Sequence, residues 1–199
     1  MTTICLVRHG ETDWNKLGKL QGTTDIPLNE TGIKQAEDCR DYFSVSDFDF
    51  LITSPLKRAK QTAIIINDNL NLELIEMSDF KERSFGDAEG LTVEKRTKIY
   101  PDGKFPNQEE IEDFKERVVN GIEKINHLYP TKKILLVAHG AVINMVLATL
   151  SNGEIDSSKT KLLNACINNI YFQDQKWSIR DYNQVGHLSQ FKDQELTNS

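Results

Sequence analysis

Three short, mostly apolar runs constrain this chain more than any other feature: ICLV (4–7), FDFLITS (48–54) and KILLVAHG (133–140). A half-exposed strand would alternate apolar with polar residues. These runs do not alternate, and charge or glycine bounds them, so they read as strands covered on both faces. Amphipathic stretches lie between them. LNETGIKQAEDCRDYF (28–43) reads as a helix capped by Asn29 or Thr31, with Ile33, Ala36, Cys39 and Phe43 inward. In SPLKRAKQTAIIIND, Ser54 suits an N-cap and Pro55 a first helical position. LELIEM (72–77) alternates like a strand. A long helix follows, with Ile111, Phe114, Val118, Ile122 and Ile125 spaced three or four apart. AVINMVLATL is a mostly apolar helix, and residues 165–182 read as two strands joined by a turn near Asp174 and Gln175. Alternating strand and helix predict an α/β fold, a three-layer αβα sandwich around a mainly parallel sheet.

The chain has 199 residues, 38% hydrophobic and 27% charged, without a Pro/Gly/Ser-rich linker. One domain over residues 1–199 is expected, with the polar tail 184–199 loosely held. The formal net charge of −6 argues against nucleic acid and anionic membranes as partners. Cys5, Cys39 and Cys166 are scattered, forming neither a disulfide framework nor a zinc pattern, and Cys5 sits in an apolar run as a buried thiol would. The N-terminus lacks a basic segment followed by a long apolar stretch, and no run approaches a membrane span. A cytoplasmic protein, monomer or homodimer, is the expectation.

In open α/β sheets, ligands bind outside the carboxyl ends of the strands. Arg8 and His9 end the first run, Arg58 follows the second, and His139 ends the third, 130 positions after His9. Such a sheet gathers all four at one edge, a cationic group on an acidic protein. The matching ligand is a compact dianion, above all a phosphoryl group, because the planar guanidinium fork fits phosphate oxygens. The helix opened by Ser54 and Pro55 adds its free N–H groups to that expectation. The chain has no phosphate-cradling glycine loop, no aspartate cluster suited to magnesium and no zinc spacing, so neither metal nor cofactor is expected. Phosphoryl transfer without a metal needs a side-chain nucleophile, which a neutral histidine with one nitrogen fixed by a hydrogen bond can supply. It also needs an acid for the leaving alkoxide. Glu82, in DFKERSFGDAEGLT, is well framed for this, and on residue type alone Glu76, Asp79 and Glu89 compete with it.

LVRHGETDWN, QGTTDIPLNETG, SPLKRAKQTA, KERSFGDAEG and VAHG, in this order from residue 6 to about 140, resemble the histidine phosphatase superfamily in its phosphoglycerate-mutase-like branch. The resemblance implies that His9 is the phosphohistidine nucleophile and Glu82 the proton donor and later the base. It implies that Arg8, Arg58 and His139 bind the transferring phosphoryl group and that Asn15 helps. By the same resemblance Gln21 and Gly22 fall where relatives contact substrate, with the Gly140 backbone close by. Mutases of the family carry a longer stretch after the acid, with paired basic residues that grip a carboxylate. Here only 56 residues separate Glu82 from His139, and Lys95 and Arg96 sit in an apparent helix. The expected function is therefore a metal-independent phosphatase acting on a small phosphorylated metabolite. A 2,3-bisphosphoglycerate-dependent phosphoglycerate mutase is one alternative, and a non-catalytic phosphate-binding module another. His127 reads as a dipole partner at a helix end, and Trp14 as lining the pocket or covering a loop. His187 lies in the polar tail and reads as structural.

Overall fold

In a computed structural model, which describes residues 1–191, six strands form one sheet. In chain order they are β1 (Thr2–Arg8), β2 (Phe50–Thr53), β3 (Leu74–Glu76), β4 (Lys133–Ala138), β5 (Ile167–Gln173) and β6 (Lys176–Gln184). Their order across the sheet is β3-β2-β4-β1-β5-β6. The first four are mutually parallel; β5 runs antiparallel to both β1 and β6. The hairpin between β5 and β6 turns on Asp174 and Gln175, at φ 51° and 60°. Two consecutive positive φ values match the right-handed twist of the flanking strands.

The continuous apolar runs have a simple cause. Alternate residues of each central strand feed different cores. Ile4, Leu6, Ile52, Ile134 and Leu136 pack with Phe114, Val118, Ile122 and Ile125 of α5 (Ile111–Leu128) and with Val142, Ile143, Val146 and Leu147 of α6 (Gly140–Leu150). Cys5, Val7, Leu51, Leu135 and Val137 pack on the other face with Cys39 of α2 (Glu30–Tyr42) and Ala59, Ala63 and Ile66 of α3 (Lys57–Leu70). Two further helices, α1 (Asp13–Lys16) and α4 (Val93–Ile99), lie in the connections.

Asn29, not Thr31, caps α2, its side chain accepting from Gly32 N. Ile33 is outward and 42% exposed; Gly32 and Gln35 fill the inner face beside Ala36 and Cys39, because the loop after His9 lies against this turn. A Cβ on Gly10 would stand 2.3 Å from the Gly32 carbonyl oxygen, and one on Gly32 would stand 2.1 Å from that of Glu11. Ile111 is also exposed, at the first turn of α5. Ser54 and Pro55 do not open α3, which begins at Lys57. Its first N–H is capped instead by the Asp25 carboxylate (Lys57 N to Asp25 Oδ1, 2.6 Å). The sequence predicts a loosely held tail from residue 184 onward. Gln184 instead ends β6, and residues 187–190 lie against α2: His187 is buried 3.3 Å from Cys39 Sγ, Ser189 donates to Asp38, and Gln190 accepts from Gln35. The rest of that tail, 192–199, lies outside the described residues.

Candidate active site

The strand register builds the site. Arg8 lies opposite Ala138, and Thr53 opposite Val137, so His9, Ser54 and His139 leave three adjacent parallel strands at one level. The His9 and His139 ring centroids are 5.2 Å apart. His9 Nδ1 stands 2.7 Å from the carbonyl oxygen of Gly10, which can only accept, so Nδ1 carries the proton and Nε2 keeps its lone pair. Arg58 Nε donates to that Nε2 at 3.3 Å. Burial, then the Arg58 and Arg8 guanidiniums, hold the His9 pKa well below the ordinary imidazole value. Burial with Arg58 does the same to His139. Both rings are neutral, so the positive charge of the site resides in the two arginines rather than being shared with the histidines.

Arg58 is fully buried, and burial lowers its pKa to about 10, which leaves it cationic at neutral pH. Its Nη2 donates to Gly22 O at 2.7 Å and its Nη1 to Thr24 O at 3.1 Å. Arg8 Nη1 donates to Leu162 O at 2.6 Å, while its buried Nε has no partner among the described residues. His139 Nε2 is 2.7 Å from Ser54 Oγ, and its buried Nδ1 has no partner among the described residues. Glu82 is buried, its carboxylate receiving the N–H groups of Arg83 (3.0 Å) and Ala141 (3.1 Å). Burial raises its pKa, outweighing those two donors and the two arginines.

The rival carboxylates are engaged elsewhere. Glu76 pairs with Lys60 at 2.7 Å and Asp79 with Lys124 at 3.7 Å. Glu89 accepts from the backbone of Thr23, Thr24 and Phe85 and from the Thr24 hydroxyl.

Arg8, His9, Asn15, Gln21, Glu82 and Gly140 line one cleft of about 750 Å³. Arg58 and His139 lie fully buried beneath it. Gly22, expected to touch substrate, does not line it; its carbonyl holds Arg58, and a Cβ there would meet Glu89 Oε1 at 2.1 Å. The helix N-terminus at the cleft is that of α6, through Gly140 and Ala141, not that of α3. Trp14 covers a loop: a Cβ on Gly90 would stand 3.0 Å from its ring. His127 is exposed in the last turn of α5.

Several positioning residues escaped the sequence reading. Thr12 donates its hydroxyl to Gln21 Oε1 at 2.7 Å and its N–H to Asn15 Oδ1 at 3.1 Å. Asn164 donates to His9 O and to Asn15 Oδ1. Thr62 Oγ1 accepts from Gly10 N and donates to Arg58 O. None has a local signature beyond the Thr12 capping pattern.

Residues 4–185 match the model of the histidine phosphatase superfamily, branch 1. The chain belongs to that superfamily. Its fold is phosphoglycerate-mutase-like, and it is an enzyme of the histidine phosphatase kind. It is 53% identical to "Uncharacterized phosphatase PhoE" of Bacillus subtilis (strain 168), over 96% of this chain and 99% of that one. It is 34% identical to a metal-independent phosphoserine phosphatase of Arabidopsis thaliana, over 95% and 84%. A mutant phosphoserine phosphatase of Entamoeba histolytica, solved in complex with phosphoserine, superposes with a TM-score of 0.84 at 31% identity, covering 94% of this chain and all of that one.

Proposed function

We propose that this chain hydrolyses small phosphate monoesters without a metal ion, through a phosphohistidine on His9. One observation carries the reading. A neutral imidazole with its lone pair fixed on Nε2 shares the site with buried nitrogens that lack partners among the described residues: Arg8 Nε, Gln21 Nε2 and His139 Nδ1. A phosphoryl dianion at the head of the cleft supplies the missing acceptors. Arg8 and Arg58 balance its charge, and Asn15 and the Gly140 backbone complete its surroundings. His9 Nε2 attacks phosphorus as the ester oxygen leaves. Glu82, whose pKa burial raises, gives that oxygen its proton. The resulting carboxylate takes a proton from water, whose oxygen attacks phosphorus and expels His9. Phosphate leaves, and His9 and Glu82 return to their starting states.

Water as the acceptor is favoured over a second substrate hydroxyl by the short connection from Glu82 to His139. One observation keeps the mutase reading in play: Arg96 of α4, half-buried, lines the cleft and has no ion-pair or side-chain hydrogen-bond partner among the described residues. The substrate we favour is a small phosphorylated metabolite of the phosphoserine type, from the likeness to phosphoserine phosphatases at 31% and 34% identity. A cytoplasmic site of action suits three buried free thiols. Among the described residues no helix is long and apolar enough to cross a membrane.

Turnover of p-nitrophenyl phosphate in EDTA tests the reading, with acid-labile, base-stable phosphate trapped on the protein. His9→Ala should abolish both turnover and trapping. Interconversion of 2- and 3-phosphoglycerate without hydrolysis would replace the phosphatase reading with the mutase one. Phosphate binding with neither activity would leave a binding module.

A further inference from the structure

Glu82 sits in a segment with no strand to hold it. Residues 77–84 leave β3 and pass through one 3-10 turn (Ser78–Phe80). The carbonyls of Asp79, Lys81 and Glu82 take part in no backbone hydrogen bond among the described residues. All three accept from one side chain, Arg117, on the second turn of α5. Its Nη1 donates to Asp79 O at 2.9 Å and to Lys81 O at 2.7 Å, and its Nη2 donates to Glu82 O at 3.2 Å. The two remaining N–H groups grip the Glu109 carboxylate, Nε at 2.6 Å and Nη2 at 2.9 Å. Every guanidinium proton is thereby used. Glu109 ties the far end of the segment: its Oε2 accepts from Ser84 N, its own N–H donates to Ser84 O, and its carbonyl accepts from Arg83 Nε and Nη2. The Arg117 guanidinium also lies 4.8 Å from the centre of the Phe114 ring, which lines the cleft.

We infer that Arg117, braced by Glu109, is the positioning residue for the catalytic acid: it fixes the backbone of residues 79–84 to α5 and so holds the Glu82 carboxyl at the leaving-group oxygen. This rests on the assignment of Glu82 as that acid. The clamp is rigid because α5 is anchored in the core by Phe114, Val118, Ile122 and Ile125. Only arginine can make it. Lysine keeps the charge but offers three donors on one atom, and these cannot span three carbonyls and a carboxylate.

The test compares kcat/KM, which reads only the steps up to release of the alcohol, for an alkyl phosphate and for p-nitrophenyl phosphate. The alkyl oxygen needs a proton from the acid; nitrophenolate leaves without one. Arg117→Lys should lower the alkyl value by roughly 10- to 100-fold, as displacement of a catalytic group does. It should leave the aryl value within about 3-fold. Glu109→Gln, which keeps the side-chain shape, should show the same selectivity more weakly, and serves if Arg117→Lys does not fold. In a Glu82→Gln background the Arg117 change should cost little more, because it acts through the missing group. A loss that falls equally on both esters, no loss at all, or full additivity with Glu82→Gln overturns the inference while leaving Glu82 as the acid. If Glu82→Gln itself slows both esters equally, the acid assignment fails and the clamp's catalytic role goes with it.

Discussion

Ser54→Ala is expected to damage catalysis although Ser54 touches no part of the cleft. The buried Ser54 hydroxyl has one proton and two lone pairs. One lone pair accepts from Leu56 N at 3.3 Å, and the other partner within reach is His139 Nε2 at 2.7 Å. No other acceptor for its proton is present among the described residues, so the hydroxyl donates to Nε2. The His139 proton is therefore on Nδ1, the nitrogen with no partner among the described residues and the one available to a phosphoryl oxygen. Removing the hydroxyl orphans an imidazole lone pair and a backbone N–H in a site where His139 is fully buried. A buried polar group left unsatisfied costs about 1–3 kcal/mol, and in a chain of this size each kcal/mol lowers Tm by about 2–4 °C. The tautomer preference weakens by a similar amount, so kcat/KM for p-nitrophenyl phosphate should fall by roughly 5- to 150-fold. Steady-state kinetics alongside a thermal melt separate the two effects, and nitrogen-15 shifts of the His139 ring report the tautomer directly. If Ser54→Ala folds, keeps the Nδ1–H form and retains wild-type kcat/KM, the hydroxyl does not set that proton and the argument is wrong.

Other perturbations test other parts of the structure. Gly22→Ala places a Cβ 2.1 Å from Glu89 Oε1 and 2.7 Å from the Arg83 carbonyl oxygen. The backbone contact cannot relax cheaply, so the variant should lose about 1–3 kcal/mol of stability in urea melts and, through the Gly22 carbonyl that holds Arg58, lose activity as well. A variant as stable and active as wild type would contradict the packing described. For pH, the unfolded chain binds protons on residues 9 and 139 near the ordinary imidazole value, whereas the folded chain resists. Their contribution is complete above about pH 6.5 and is lost as pH falls below it, by up to about 1.4 kcal/mol per pH unit for each histidine. His139→Gln should therefore flatten the fall in stability between pH 6.5 and 5, and an unchanged slope would refute the burial argument. Gln21→Ala removes one unpartnered donor at the cleft and should raise KM several-fold with a smaller change in kcat; an unchanged KM would mean that the Gln21 amide does not meet the substrate.

The parts legible in the sequence share a physical cause. ICLV and KILLVA could be read as buried strands because alternate residues of each supply two different cores, which erases polar alternation. Once those strands were parallel, His9 and His139 had to leave the sheet at one edge, whatever their separation along the chain. Ser54 shows the opposite case. A Ser-Pro pair before a helix carries the local signature of an N-cap, but Asp25 takes the first N–H of α3 from a distant loop, which frees the Ser54 hydroxyl for His139. Choosing Glu82 over Glu76, Asp79 and Glu89 also lay beyond local pattern. All four carry the same functional group, and only tertiary contacts engage three of them elsewhere and bury the fourth. The same distinction separates His9 from Asn164 and Arg117. A group that must attack or bind phosphorus is restricted to a few residue types beside tight turns, and such restrictions recur as short readable motifs. A residue that holds such a group in place needs only to reach it, from any position that the fold brings near, so it follows no spacing rule. The donors that position Asn15 and Glu82 therefore become visible only in three dimensions, and they are where mutation should separate lost chemistry from lost stability.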